Sequence, residues 1–205
     1  MFRILCFGDS NTYGYRPDGL GRFDENTRWT MRLSKKLGSG YQVVEEGLCG
    51  RTTIFDNDVN PGRRGSDHIG MLMESHNPID LLIIMLGTND YKCRYEATTE
   101  LIVEGTQQVI DKAMEKASAT CEVLLISPIF LGDDVAQKDP EYDDHSLTMS
   151  KEMAGALKAY AAENGYFFMD AAMFAKAGPD QEHMTADDHE ALANGLYNML
   201  HVKTL

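Results

Sequence analysis

Five short apolar runs recur along the chain, and stretches with helical spacing fill the intervals between them. The runs are Ile4–Phe7, Tyr41–Val44, Leu81–Leu86, Val123–Ile126 and Tyr166–Met169. Strands that read as unbroken apolar runs are those covered on both faces. Between them, Ile102, Val109, Ile110, Ala113, Met114 and Ala117 fall on one face of a helix, as do Met153, Leu157, Tyr160 and Ala161. Leu192, Leu196 and Leu200 repeat the pattern near the end, and Trp29 opens an earlier helix. Connections long enough to hold a helix bring successive strands in parallel. The expected fold is therefore α/β, a three-layer α/β/α arrangement around a five-stranded parallel sheet, as one domain over residues 1–205. Ligands of such sheets gather beyond the carboxyl ends of the strands. The segments that follow each strand are where chemistry is to be sought.

Composition removes several function classes. The 205 residues are 43% hydrophobic, enough for a core without disulfides or metal. Lys and Arg number 19 against 32 Asp and Glu, a formal charge of −13. That balance argues against a nucleic-acid backbone or an anionic membrane as partner. The longest apolar run has six residues, against the ~20 a membrane span needs. Met1–Phe2–Arg3 leads into only a short apolar run, unlike a secretory leader, so the cytoplasm is the expected location. Cys6, Cys49, Cys93 and Cys121 show neither a CxxC pair nor zinc-like spacing, and read as free thiols. No metal or cofactor is expected.

Four segments beyond the strands stand out: Gly8–Asp9–Ser10–Asn11–Thr12, Glu46–Gly47–Leu48–Cys49–Gly50–Arg51–Thr52–Thr53, Gly87–Thr88–Asn89–Asp90, and Asp180–Gln181–Glu182–His183. Each alone is ordinary turn or helix-cap chemistry. Brought to one sheet edge, they supply a hydroxyl, a carboxylate–imidazole pair and several hydrogen-bond donors. That is the inventory of nucleophilic acyl transfer. Ser10 is the candidate nucleophile and His183 the base. Asp180, three residues before His183, can reach the second ring nitrogen and fix the tautomer.

In this order the segments resemble the SGNH hydrolases, also called GDSL esterases and lipases. The likeness is nearest to their bacterial aryl esterase and acyltransferase branch, through Arg3–Ser10, Arg28–Thr30, Glu45–Thr53 and Ile83–Asp90. It implies a flavodoxin-like fold and a serine esterase that hydrolyses, or transfers, short acyl groups of a small-molecule ester. It also implies an oxyanion hole made by the Ser10 and Gly50 backbone N–H groups and the Asn89 amide, with Gly47 the neighbouring candidate for Gly50. Oligomers occur in that branch, so a homo-oligomer is an expected arrangement. Two departures are visible. Asn11 stands where Leu is common, and Gln181 and Glu182 fill positions usually small or aliphatic, which puts a second anion near His183.

Asn11, Tyr13, Tyr15 and Trp29, with Phe23 nearby, are candidates to line a substrate pocket, although Trp29 also reads as core. Asp9 and Asp90 are expected to brace their loops. His189 opens the last helix behind Thr185 or Asp187 as cap, and the resemblance makes such a histidine structural. His68, His76, His145 and His201 read as surface residues, and the acidic stretch Asp133–Asp144 as a solvated loop over the site. Other functions stay in play: a carbohydrate O-deacetylase of the same family, a flavodoxin-like binding module with phosphate at Ser10–Thr12, a silent scaffold, or a Cys49 thiol nucleophile.

Overall fold

A computed structural model describes residues 1–203, so the last two residues of the expected 1–205 unit lie outside the described residues. Strand β1 (Phe2–Gly8) and strand β3 (Leu81–Met85) form the centre of the sheet. Strand β2 (Tyr41–Gly47) flanks β1, while β4 (Glu122–Ser127) and β5 (Phe167–Asp170) extend the other side, giving the order β2-β1-β3-β4-β5. All pairings are parallel. The helices are α1 (Ser10–Tyr13), α2 (Trp29–Leu37), α3 (Gly65–His76), α4 (Thr99–Met114), α5 (Val135–Lys138), α6 (Asp144–Asn164) and α7 (Ala186–Lys203). The sheet with helices on both sides is the expected three-layer fold.

Alternation along the strands builds the layers. Leu5 and Phe7 of β1, Leu82 and Ile84 of β3, and Val123 and Leu125 of β4 face one side, where α3, α4 and α6 supply Ile69, Met73, Ile102, Val109, Met153 and Leu157. Ile4, Cys6, Ile83, Met85, Leu124 and Ile126 face the other side, against Trp29 and Leu33 of α2 and Leu192, Ala193 and Leu196 of α7. Most of the expected helical faces are buried, but Met114 is exposed at the end of α4, Ala117 lies beyond that helix, and Tyr160 and Leu200 are only half-buried.

Some elements depart from the pattern. β2 is an edge strand and half-buried along its length, whereas its apolar run suggested cover on both faces. Helix α3 carries little periodic signal, because it buries only Gly65, Ile69 and Met73 as a narrow stripe. The stretch 133–144 is not a freely solvated loop. Val135 and Tyr142 are buried, α5 forms within it, and the Asp143–Ser146 capping box ends it at the start of α6.

Register decides where the site lies. Gly8 pairs with Gly47 across to β2 and with Met85 across to β3. Three strands thus end level, and the segments that follow them leave the sheet side by side. Strand order reverses between β1 and β3, the place where α/β sheets open a crevice. Gly47 lets this edge close up: a Cβ there would sit 2.1 Å from Tyr13 N, a backbone atom of the turn that follows Ser10. Replacing Gly47 by Ala is expected to cost at least about 2 kcal/mol of stability, read as a loss in urea-unfolding free energy.

Candidate active site

Ser10 opens the one-turn helix α1 directly after β1, and Asp9 caps it by accepting the Asn11 N–H at 2.9 Å. The turn ends at Gly14, left-handed with φ +82°. From the far end of the chain, the segment between β5 and α7 brings His183 to the same place. His183 Nε2 lies 2.8 Å from Ser10 Oγ, and His183 Nδ1 lies 2.7 Å from Asp180 Oδ2. Asp180 Oδ1 also accepts the His183 backbone N–H at 2.9 Å, so one carboxylate fixes both ring and main chain. Burial pushes Asp180 upward, but its hydrogen bonds from His183 win and hold it below the usual carboxylate range. An ionised carboxylate only accepts, so the Nδ1 proton points at Asp180, and Nε2 is left to accept the Ser10 hydroxyl.

Burial works against charge on His183. The Asp180 hydrogen bond and the charges of Glu182, Asp180 and Asp9 outweigh that, and the ring's pKa lies above its ordinary value. The second carboxylate expected near His183 is there, with Glu182 Oε1 3.9 Å from His183 Nε2.

The segment after β2 and the Gly87–Asp90 turn complete the cleft. Ser10, Tyr15, Cys49, Gly50, Asn89, Lys92, Glu182 and His183 line it. The two candidate glycines separate here. Gly47 is taken up by packing under Tyr13, while Gly50 faces the cleft in the left-handed region, φ +78°. A side chain is strained there, and Gly leaves its amide accessible. Asn89 Nδ2 donates to Arg51 O at 3.1 Å, which fixes the amide and leaves its second N–H available. Asp90, one residue on, accepts the Thr53 backbone N–H at 2.8 Å and the Thr53 hydroxyl. Asp9 and Asp90 thus brace the loops. Burial raises them to about 6 and about 7 respectively.

The candidate lining residues are only partly brought together. The Tyr15 ring packs 4.8 Å from the His183 ring and lines the cleft. Trp29 does not: it is fully buried in the core layer under α7, because α2 turns its apolar face inward. Tyr13 points elsewhere, with the Arg22 guanidinium 4.4 Å over its ring. Asn11 is a clamp rather than a wall. Its Oδ1 accepts Met184 N–H at 2.9 Å and its Nδ2 donates to Glu182 O at 3.2 Å, so α1 is tied to the His183 segment. Phe23 lies edge-on against His189 at 5.4 Å.

Sequence reading missed Arg51. Its Nη1 donates to Gly8 O at 2.8 Å and also to Glu46 O, its guanidinium sits 4.2 Å over Phe7, and its carbonyl holds Asn89. A buried arginine inside a Gly-Arg-Thr-Thr run was the available signal. Also missed were the contacts of Gln181 and Glu182 with the segment 131–142. Gln181 O accepts Gly132 N–H at 2.8 Å, and Glu182 Oε1 accepts the Tyr142 hydroxyl at 2.8 Å.

The remaining candidates fall away from the chemistry. Cys49 is at the cleft, but burial and the Asp9 charge push its thiol up. His76 pairs with Glu46 at 2.9 Å, His145 meets Ala97 O at 3.2 Å, and the Tyr197 ring stacks on His201. Among the described residues no group of three His, Cys, Asp or Glu side chains is arranged to hold a metal, and no helix is long and apolar enough to cross a membrane.

Residues 6–203 match the model of the GDSL-like lipase/acylhydrolase family. The chain belongs to that family, the SGNH hydrolases, and is a hydrolase of the esterase type. It is similar to the aryl esterase of M. smegmatis, at 31% identity over 98% of this chain and 99% of that one, TM-score 0.89. It is also similar to a carbohydrate acetylesterase family member from Sinorhizobium meliloti, at 30% identity over 98% of each chain, TM-score 0.91. No curated protein matches.

His189 holds a structural post. It is fully buried, and its Nδ1 accepts the Trp29 N–H at 3.3 Å, one of the donors that the start of α2 leaves open. Of the two expected caps for α7 it is Thr185 that acts, its hydroxyl accepting Asp188 N–H while its own N–H donates to Asp188 Oδ2 at 3.1 Å. Burial lowers the His189 pKa to about 4. The unfolded chain therefore binds more protons here between pH 6.5 and about 4, and stability is lost as pH falls through that window. Asp9 and Asp90, raised on folding, act with the opposite sign, so the difference between two proteins isolates His189. Relative to His189→Asn, the parent should lose roughly 2–3 kcal/mol of unfolding free energy between pH 7 and pH 4.5, measured by urea titration.

Proposed function

We propose that the protein is a serine esterase for short-chain carboxylic esters, using Ser10, His183 and Asp180. The observation that carries this reading is the continuous hydrogen-bonded chain from Ser10 Oγ through the imidazole to Asp180, 2.8 Å and 2.7 Å long at its two links. Ser10 Oγ attacks the ester carbonyl while its proton passes to His183 Nε2. Asp180 holds the ring and stabilises the imidazolium. The oxyanion meets the N–H groups of Ser10 and Gly50 and the free N–H of Asn89. Collapse expels the alcohol, which takes the proton from Nε2 and leaves an acyl group on Ser10. Water then attacks that acyl group by the same route; an alcohol in its place gives transfer.

A second reading, removal of acetyl groups from carbohydrate, uses the same residues and draws on the likeness to the S. meliloti protein. The flavin-binding and scaffold alternatives give Asp180 and His183 no task.

The test is a series of p-nitrophenyl esters from acetate to octanoate, with acetylated sugars alongside, assayed on the parent protein and on Ser10→Ala. Short esters should be preferred, and Ser10→Ala should lose about 10⁴-fold or more in kcat. A fluorophosphonate should label the parent and not the variant. Undiminished turnover by Ser10→Ala would remove the reading.

Asn89→Ala should lower kcat by about 10²–10³, with a melting temperature close to the parent's. A rise in KM alone would place Asn89 in ground-state binding instead.

A further inference from the structure

The cleft contains a carboxylate that the Ser10–His183–Asp180 chain does not use. Glu182 Oε1 lies 3.9 Å from His183 Nε2, and the side chain is 12% exposed. Nε2 is the atom that hands a proton to the departing alcohol, so Glu182 stands on the side where that alcohol sits. Its anchor is the hydroxyl of Tyr142 at 2.8 Å, on a ring that is itself buried. A phenol fixes the carboxylate without neutralising it. Among the described residues no lysine or arginine forms an ion pair with Glu182. Lys92, which also lines the cleft, is held by Glu141 at 2.6 Å, and Arg94 shares that same carboxylate. Lys92 and Arg94 thus share one carboxylate, and among the described residues Arg63 beside Gly50 meets only the carbonyls of Cys49 and Pro61. These cations lie toward the Gly50 and Lys92 side of the cleft, while Glu182 sets the charge next to Nε2.

We propose that Glu182, anchored by Tyr142, is a specificity-determining residue that admits esters of neutral alcohols and turns away esters of anionic ones. The inference rests on the serine-esterase reading. Its physical basis is like-charge repulsion in a partly dehydrated cleft, the repulsive half of selectivity. Two like charges held about 7 Å apart, the span of a phenyl ring with its substituents, disfavour each other by roughly 5- to 10-fold at a dielectric between those of water and protein.

The experiment compares 4-acetoxybenzoate with its methyl ester, two acetates that share a ring and differ in charge. The ratio of kcat/KM, neutral over anionic, is measured for the parent, Glu182→Gln and Tyr142→Phe, each at low and high NaCl. Glu182→Gln keeps an acceptor for Tyr142 and removes the charge, so its ratio should fall roughly 5- to 10-fold and become less salt-dependent than the parent's. The parent's ratio should itself fall on adding salt. Tyr142→Phe retains the charge and should stay nearer the parent than Glu182→Gln does. A ratio unchanged within about twofold in Glu182→Gln, or a salt-insensitive ratio in the parent, overturns the proposal and leaves the esterase reading intact. If Glu182→Gln fails to fold, Glu182→Ala read by the same ratio decides, since it also removes the charge. A parent protein that hydrolyses neither acetate overturns the esterase reading and this inference together.

Discussion

Everything at the site depends on three parallel strands ending at one level. The pairing of Gly8 with Gly47 on one side and Met85 on the other sets the starting height of three segments that are far apart in sequence. Since a one-residue slip would turn every side chain to the opposite face of the sheet, the buried alternation on both faces locks this register. Arg51 then makes the level edge rigid. Its guanidinium bonds the carbonyls at the ends of β1 and β2, and its own carbonyl fixes the Asn89 amide that follows β3. Burial lowers its pKa only to about 10, so it remains a cation at neutral pH. A buried guanidinium is tolerated because carbonyls and the Phe7 ring surround it.

Two histidines show how position rather than residue type decides chemistry. His183 and His189 lie six residues apart and both are buried, yet their pKa values move in opposite directions. His183 faces Asp180, Glu182 and Asp9, and the summed negative charge overcomes burial. His189 faces Arg32 and Arg28 among its charged neighbours, which adds to burial instead of opposing it, with Asp188 only a partial offset. One ring lies within hydrogen-bond reach of a hydroxyl. The other is held neutral, as an acceptor for a helix-start N–H.

The fold was legible because apolar runs of a parallel sheet are dense and its helical stripes are wide. β3, buried at all five positions, and α4, with seven buried residues, are such elements. α3 escaped because its stripe is a single row, and β2 misled because an edge strand needs apolar residues on only part of its surface. The same logic applies to the site. That Ser10, Asp180 and His183 would come together was readable, since their residue types are few and their spacing is local or strand-linked. Trp29 was not placed by sequence, because an aromatic near a nucleophile in sequence can face either side of the helix it opens. Asn11 reads as a polar wall until the structure supplies its two partners, both more than 170 positions away.

The two residues between Asp180 and His183 have a physical role that explains why they are not small here. Gln181 takes a left-handed conformation, φ +70°, which costs of order 1 kcal/mol for a residue with a Cβ. That conformation lets its carbonyl accept Gly132 N–H, while its side-chain oxygen lies 3.3 Å from Asp134 N. Gly132 is fitted to it, since a Cβ there would fall 2.1 Å from Gln181 Oε1. Glu182 then reaches Tyr142 from the adjacent position. The pair thus docks the segment 131–142 against the loop that carries the imidazole, and the docking uses side chains too long for the small residues usual at these positions. Without those two side chains His183 would be held by Asp180 and the Asn11 clamp but not from the 131–142 segment. With Gln181 and Glu182 engaged, and Asn11 holding Glu182 O and Met184 N, the imidazole is fixed from α1, from Asp180 and from the 131–142 segment at once.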